Sequence, residues 1–193
     1  DNAGNLEDVE EITIKIDTTP PVIDISTDAG QYTRVELITF TIVAFDPMPG
    51  SGLVSVTAEF EGQVMSDGDV IDPFWLALGV YNFTATATDF AGPTSTDTGS
   101  FELIATLESL SPTVTRLCEE LHISKHGICN SLQAKLRNAM RQDERGHTHV
   151  VINMLNAFLH ELNGQRGKSI SEDPYRILEQ DVRYVIESLG GSA

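Results

Sequence analysis

Basic residues are almost missing from the first 106 positions of this chain, which hold only Lys15 and Arg34. Eighteen acidic residues stand against these two, a local net charge of −16, whereas residues 107–193 carry ten basic and eleven acidic, net −1, which completes the −17 of the whole. A surface so acidic repels nucleic acid and anionic membranes, and suits solubility or divalent cations. Long apolar runs are also lacking: none approaches the roughly 18 residues of a membrane span, so no bilayer-crossing helix is expected. There is no basic-then-apolar N-terminal segment, and a secretory signal is expected to lie upstream of Asp1. Cysteine is scarce, with two residues, and both lie in the second half together with all five histidines. Composition therefore divides the chain near Thr106 into two domains.

What the first half does contain is alternation. Ile38, Phe40, Ile42 and Ala44 share one parity, as do Val54, Val56, Ala58 and Phe60, and Tyr81, Phe83, Ala85 and Ala87. Polar residues fill the positions between, the pattern of antiparallel strands with one wet face. Short strands punctuated by Gly, Pro and Asp argue a β-sandwich over residues 18–106, and Tyr81 at a strand start suits a tyrosine corner. Residues 1–17 hold a strand with Ile12, Ile14 and Ile16 on one face. Asp1, Ala3 and Gly4 match Asp89, Ala91 and Gly92, each set preceding an alternating strand, an internal repeat of domain length. Residues 1–17 are accordingly expected to be the closing strand of a preceding, truncated repeat. That strand, residues 9–16, is expected to fray or to pair with a sheet edge, a route to self-association.

The run Asp17-Thr18-Thr19-Pro20-Pro21, then Ala44-Phe45-Asp46 with Ser51-Gly52, then Gly79 through Asp89-Phe90-Ala91-Gly92, resembles the bacterial immunoglobulin-like repeats strung along secreted and surface proteins. The resemblance spans about residues 1–106. It implies a spacer or adhesive module of an extracellular multidomain protein rather than catalysis.

From Leu107 the apolar period becomes helical. Ser111 with Pro112 reads as a helix start, followed by a stripe of Val114, Leu117, Cys118 and Leu121. Cys129, Leu132, Leu136, Ala139 and Met140 form a second stripe, and Val151, Leu155, Phe158, Leu159 and Leu162 a third, ending at Asn163-Gly164. Ser171 reads as the cap of a fourth helix, with Glu172 and Asp173 in its first turn and Ile177, Leu178, Val182, Val185, Ile186 and Leu189 facing inward. Four amphipathic helices over residues 107–191 make a small antiparallel bundle, with 192–193 a tail. Ser131-Leu132-Gln133-Ala134-Lys135-Leu136 with Ala139, then Phe158, Gly167-Lys168-Ser169-Ile170-Ser171 and Leu178, resembles the FIMAH domain over about residues 108–189. The resemblance implies the C-terminal helical module of a large extracellular bacterial hydrolase, and it brings no catalytic residue with it.

The fold expected is thus an immunoglobulin-like antiparallel β-sandwich followed by a four-helix bundle. The function expected is a non-catalytic spacer, anchor or interaction module of a secreted or cell-surface protein. Its partners would be other domains of that protein, or a glycan or cell-surface polymer. Within this frame Asp17, Asp46 and Asp89 all fall at strand ends, where hard carboxylate oxygens can gather around calcium and fix an interdomain angle; the alternative is ordinary turn aspartates capping backbone amides. Asp67, Asp69 and Asp72 form a second acidic loop without calcium-loop spacing. Cys118 and Cys129 lie on facing stripes of consecutive helices, a disulfide or a buried thiol pair. Trp75 with Phe74 offers either a sugar-stacking platform, the basis of an alternative reading as a carbohydrate-binding module, or a core and interface pair.

Two motifs are weaker than their letters. Asp97-Thr98-Gly99-Ser100 has the spelling of an aspartic protease loop but no second copy, and it reads as a turn. Gly164 to Ser169 spells part of a phosphate loop behind a helix rather than a strand. His149 and His160 stand about 16 Å apart on one helix, too far to share an ion, and read as solvated.

Overall fold

Residues 16–192 are described by the computed structural model of the chain. The strand expected at residues 9–16, with its self-association, lies outside the described residues except for Ile16, which is exposed.

Two sheets face each other. One joins β1 (Val22–Thr27), β3 (Ile38–Phe45) and the two-residue β6 (Val70–Ile71) in the order β1-β3-β6. The other runs β2 (Gln31–Thr33), β8 (Thr94–Ile104), β7 (Gly79–Asp89), β4 (Leu53–Phe60) and β5 (Gln63–Met65), in the order β2-β8-β7-β4-β5. Among the described strands every pairing is antiparallel but one: β2 runs parallel to β8, a departure from the purely antiparallel sandwich expected. Ile38, Phe40, Ala58, Phe60, Phe83, Ala85, Phe101 and Leu103 fill the space between the sheets, following the period-two pattern. Tyr81 Oη donates to the Ala77 carbonyl at 2.8 Å, closing the expected corner.

The inward series on β4 fails at its first half, where Val54 and Val56 are exposed. The reason lies in the opposite sheet. Because β6 pairs only with Ile38 and Thr39, that sheet narrows to two strands toward the end of β3 among the described residues, which leaves the first half of β4 less covered. A bulge between Leu53 and Ser55 displaces Val54 further. Asp97 lies inside β8 rather than in a turn, and its Oδ2 accepts from the Ile25 amide of the other sheet at 2.9 Å. Beside it, a Cβ on Gly99 would come within 2.1 Å of the Phe83 ring. The protease-like spelling therefore records a link between sheets and a packing gap for an aromatic.

The helices are α1 (Leu107–Glu119), α2 (His126–Asp143), α3 (Thr148–Gln165) and α4 (Glu172–Ser188). Helix α1 starts five residues before Pro112. Thr106 Oγ1 accepts from the Ser109 amide at 3.1 Å while Ser109 Oγ accepts from the Thr106 amide at 3.0 Å, a reciprocal cap stronger than the Ser111-Pro112 start expected. Its inward stripe is consequently Leu107, Leu110, Val114 and Leu117, and Leu121 falls beyond the helix, exposed. Helix α3 runs through Asn163-Gly164 to Gln165, and Ser171 stands at the α4 N-cap without a side-chain cap bond. No described helix is long and apolar enough to cross a membrane.

Cys118 and Cys129 are joined by a disulfide across 11 positions, tying the end of α1 to the first turn of α2. Closing so short a loop removes chain entropy from the unfolded state, a stabilisation of about 2 to 3 kcal/mol. Reduction is expected to lower the thermal midpoint of the chain, and the Cys118→Ser, Cys129→Ser double variant is expected to match the reduced protein. An unchanged midpoint would show that the bond constrains nothing.

The sandwich and the bundle share one seam. Phe74, in the loop between β6 and β7, is fully buried and belongs to the apolar core of the helices, and Leu78 packs against both cores. Arg34, in the turn after β2, is buried with Asp181 of α4: Nε and Nη2 donate to the two carboxylate oxygens at 2.8 and 2.7 Å. Its Nη1 donates to the carbonyls of Phe74 and Leu76 at 2.8 and 2.6 Å, so the guanidinium is satisfied on all sides that matter for burial. Arg116 of α1 lies 4.0 Å over the Phe74 ring and pairs with Asp72 at 2.6 Å.

Hydrogen bonds from Arg116 hold the Asp72 carboxyl below the usual carboxylate range, with an amide bond from Phe74 adding to the effect. A depressed folded value means that this pair stabilises above the unfolded carboxylate range, near pH 4, and that its contribution is lost as pH falls through the folded value. The pair is partly exposed, so the effect is small. Wild type is expected to lose its advantage over Asp72→Asn in thermal melts between about pH 5 and pH 3; a constant difference across that range would show that the pair does not titrate.

Candidate metal centre at the N-terminal pole

Topology sends the chain in at one pole of the sandwich and out at the other. Asp17 precedes β1, Asp46 follows β3 and Asp89 ends β7, which places all three at the pole away from the helices. One oxygen from each lies within 4.8 Å of the others. Asp67, Asp69 and Asp72 do not share such a cluster. Asp67 accepts from the Ile42 amide at 2.9 Å and Asp69 from the Ser66 amide at 2.8 Å, each capping local backbone.

The pole cluster is held by backbone amides. Asp17 accepts from Thr19 N at 2.9 Å and Ser51 N at 2.8 Å, and these bonds hold its carboxyl below the ordinary range. Asp46 Oδ2 accepts from Gly52 N, and Asp89 Oδ1 accepts from Ala91 N and Gly92 N, both at 2.8 Å. Each carboxylate is thereby fixed in direction by a turn that follows it. The loop must pass close: a Cβ at Gly50 would sit 2.3 Å from Asp46 Oδ2, and Gly52 adopts a φ of +92°, which favours glycine.

Two oxygens are left over. Asp46 Oδ1 and Asp89 Oδ2 are buried without a hydrogen-bond partner among the described residues, and Asp89 is only 2% exposed. Leaving a buried charged acceptor unpaired costs more than the roughly 1 to 3 kcal/mol of a neutral group. A cation between the three carboxylates would satisfy both. The donor set is oxygen only, which suits Ca²⁺ or Mg²⁺ and not the nitrogen and sulfur preferences of zinc. Calcium ligands at about 2.3–2.6 Å stand up to roughly 5 Å apart across the ion, the spread seen here, and its irregular geometry tolerates three carboxylates from three loops.

The other residues singled out in the sequence lie elsewhere. Phe74 is buried beneath Arg116, so it forms no exposed platform with Trp75, and that part of the aromatic-site expectation is corrected. Trp75 itself is 39% exposed and meets His122 edge to face, with ring centroids 5.0 Å apart. His147 Nδ1 pairs with Gln142 Oε1 at 2.9 Å, away from any group of three ligands. Sequence reading missed Arg34 and Asp181. The signals were present: Arg34 is one of two cations in an acidic half, and Asp181 sits three positions after Leu178 on the inward stripe of α4.

Comparison with known proteins assigns the helical part. Residues 107–187 match the FIMAH domain. No curated protein matches the chain. Among solved structures the chain is similar to the PKD1 domain of Vibrio anguillarum Epp, at 20% identity over 45% of this chain and 96% of that one, with a TM-score of 0.36. It is also similar to the PKD1 domain of the Vibrio cholerae metalloprotease PrtV, at 19% identity over 44% and 96%, with a TM-score of 0.34. The chain combines a two-sheet β region with a helical region that matches the FIMAH domain.

Proposed function

We propose that the chain is a non-catalytic accessory arm of a larger extracellular bacterial protein, a hydrolase by the context its FIMAH domain implies, and that calcium sets its N-terminal joint. The FIMAH match supports the accessory role, and the disulfide supports an oxidising, extracellular setting. The observation that carries the reading is the pole itself: Asp17, Asp46 and Asp89 converge where the polypeptide enters, with two buried carboxylate oxygens unpaired among the described residues. Asp17 is at once a ligand and the residue that leads into β1. A bound ion therefore fixes the direction from which the preceding chain arrives, while the seam at Arg34 and Phe74 makes sandwich and bundle move together.

Calorimetric titration of the chelator-stripped chain with calcium tests this. One site is expected, in the roughly 10⁻⁴–10⁻³ M range of extracellular modules. No binding heat, or binding unchanged in Asp89→Asn, would refute it.

A further inference from the structure

Three loops meet on the flank of the seam: residues 72–78 of the β region, the α1–α2 connection and the α3–α4 connection. Trp75 comes from the first, Leu121, His122 and Ser124 from the second, and Lys168, Ser169 and Ser171 from the third. The second and third loops are tied together. Ile123 bridges Ile170, and Ser124 donates to the Ser169 carbonyl through its amide at 2.9 Å and its hydroxyl at 3.3 Å. Between them opens a cleft of about 370 Å³ whose walls include His122, Ser124, Lys168 and Ser169. That volume lies in the lower part of the roughly 300–1,000 Å³ range of small-ligand sites.

Three local departures from economical folding coincide at this cleft. Leu121 is 76% exposed and held at a φ of +61°, a conformation that costs a non-glycine residue strain. Ser169 is 3% exposed, and its hydroxyl has no partner among the described residues. Trp75, the single tryptophan of the chain, stays partly exposed against the His122 ring, which itself lines the cleft. Places where a fold breaks its own rules together are where function is expected.

From these we infer that the cleft between the 121–124 and 167–171 loops is a binding site for a neutral saccharide, with Trp75 beside it, against the outer side of His122. A sugar ring offers apolar C–H faces and a rim of hydroxyls that both donate and accept. Leu121, Trp75 and His122 supply apolar and aromatic surface for the faces. Among the described residues Lys168 Nζ bonds only the Gly164 carbonyl, at 2.9 Å, which leaves it further N–H donors, and the Ser124 and Ser171 hydroxyls add donor and acceptor capacity. Charge selects a neutral ligand over a polyanion. Residues 107–193, which supply the cleft walls, are near neutral at net −1, and Glu120 lies 3.4 Å from His122. This inference stands independently of the calcium reading, since the two sites lie at different ends of the sandwich.

Trp75 is the only tryptophan and touches the cleft-lining His122 ring, so a ligand that moves His122 changes its emission. The full chain is titrated with β-1,4-linked gluco-, xylo- and chito-hexaose and with polygalacturonate, following Trp75 fluorescence with and without chelator. A saturable change is expected with at least one neutral hexaose, weakened about tenfold or more in Lys168→Ala and in His122→Ala. Thermal melts check that both variants fold, and calorimetry on Trp75→Phe checks that affinity falls when the residue beside His122 is altered. No saturable change with any neutral hexaose, or equal affinity in Lys168→Ala and His122→Ala, would overturn the site. Saturation by polygalacturonate alone would overturn its assignment to neutral sugar.

Discussion

Replacing Arg34 by Met is expected to destabilise the chain by about 3 to 5 kcal/mol, because it strands the Asp181 carboxylate in a site where both partners are only 1% exposed. The loss is larger than that of a surface pair for a specific reason. Arg34 satisfies four acceptors at once, the two Asp181 oxygens and the Phe74 and Leu76 carbonyls, and its removal leaves three of them buried and the Leu76 carbonyl partly so. At this chain length each kcal/mol moves the midpoint by about 2–4 °C, so a fall on the order of 10 °C is expected in thermal melts. Burial already pushes the Asp181 carboxyl up, against the opposing pull of Arg34. Without Arg34 it rises further, the folded state holds a proton the unfolded state does not, and stability of the variant falls as pH rises. Arg34→Met is therefore expected to regain stability relative to wild type between pH 7 and pH 5. An Arg34→Met, Asp181→Leu double variant is expected to recover most of the loss. If the single variant melted within about 1 °C of wild type, the seam would not join the two halves.

The same pair shows where sequence reading stops. Periodicity located β3, β7 and the four helices because each buries one face, and a buried face leaves a period of two or about 3.6 whatever the partner is. The partner is the part that leaves no period. Phe74 and Trp75 are adjacent and both aromatic, yet one lies in the helical core and the other at the surface, a difference decided by Arg116 and by where α1 starts. The start itself turned on Thr106 and Ser109, whose reciprocal bonds outweigh the helix-starting letters Ser111-Pro112. Val54 and Val56 followed the correct parity and stayed exposed, because the width of the opposite sheet is a property of tertiary structure. The acidic cluster was legible in a different way. Asp17, Asp46 and Asp89 stand at strand ends, and in a sandwich the ends that share a pole follow from strand order. Their convergence within 4.8 Å and the two unpaired buried oxygens needed coordinates.

Asp46→Asn is expected to separate the metal reading from a purely structural one. Asn keeps an acceptor for the Gly52 amide and replaces the buried, unpaired Oδ1 with an N–H donor or its equivalent, while removing one of three converging negative charges. Like charges about 4–5 Å apart repel by up to roughly 4 kcal/mol at an effective dielectric of 20, less where water reaches them. In chelator the variant is thus expected to be as stable as wild type or more so. In calcium the order reverses, because the variant has lost a hard ligand and its response to the ion. A variant that is less stable than wild type to the same extent in both conditions would mean that Asp46 only caps its turn.

The most direct test is the thermal midpoint of the wild-type chain in excess chelator and in calcium about a hundredfold above Kd. Ligand binding to the folded state alone contributes about 2.7 kcal/mol under that condition, so a rise of about 5–10 °C is predicted. Equal midpoints in chelator and calcium would contradict a calcium-set joint at Asp17, Asp46 and Asp89.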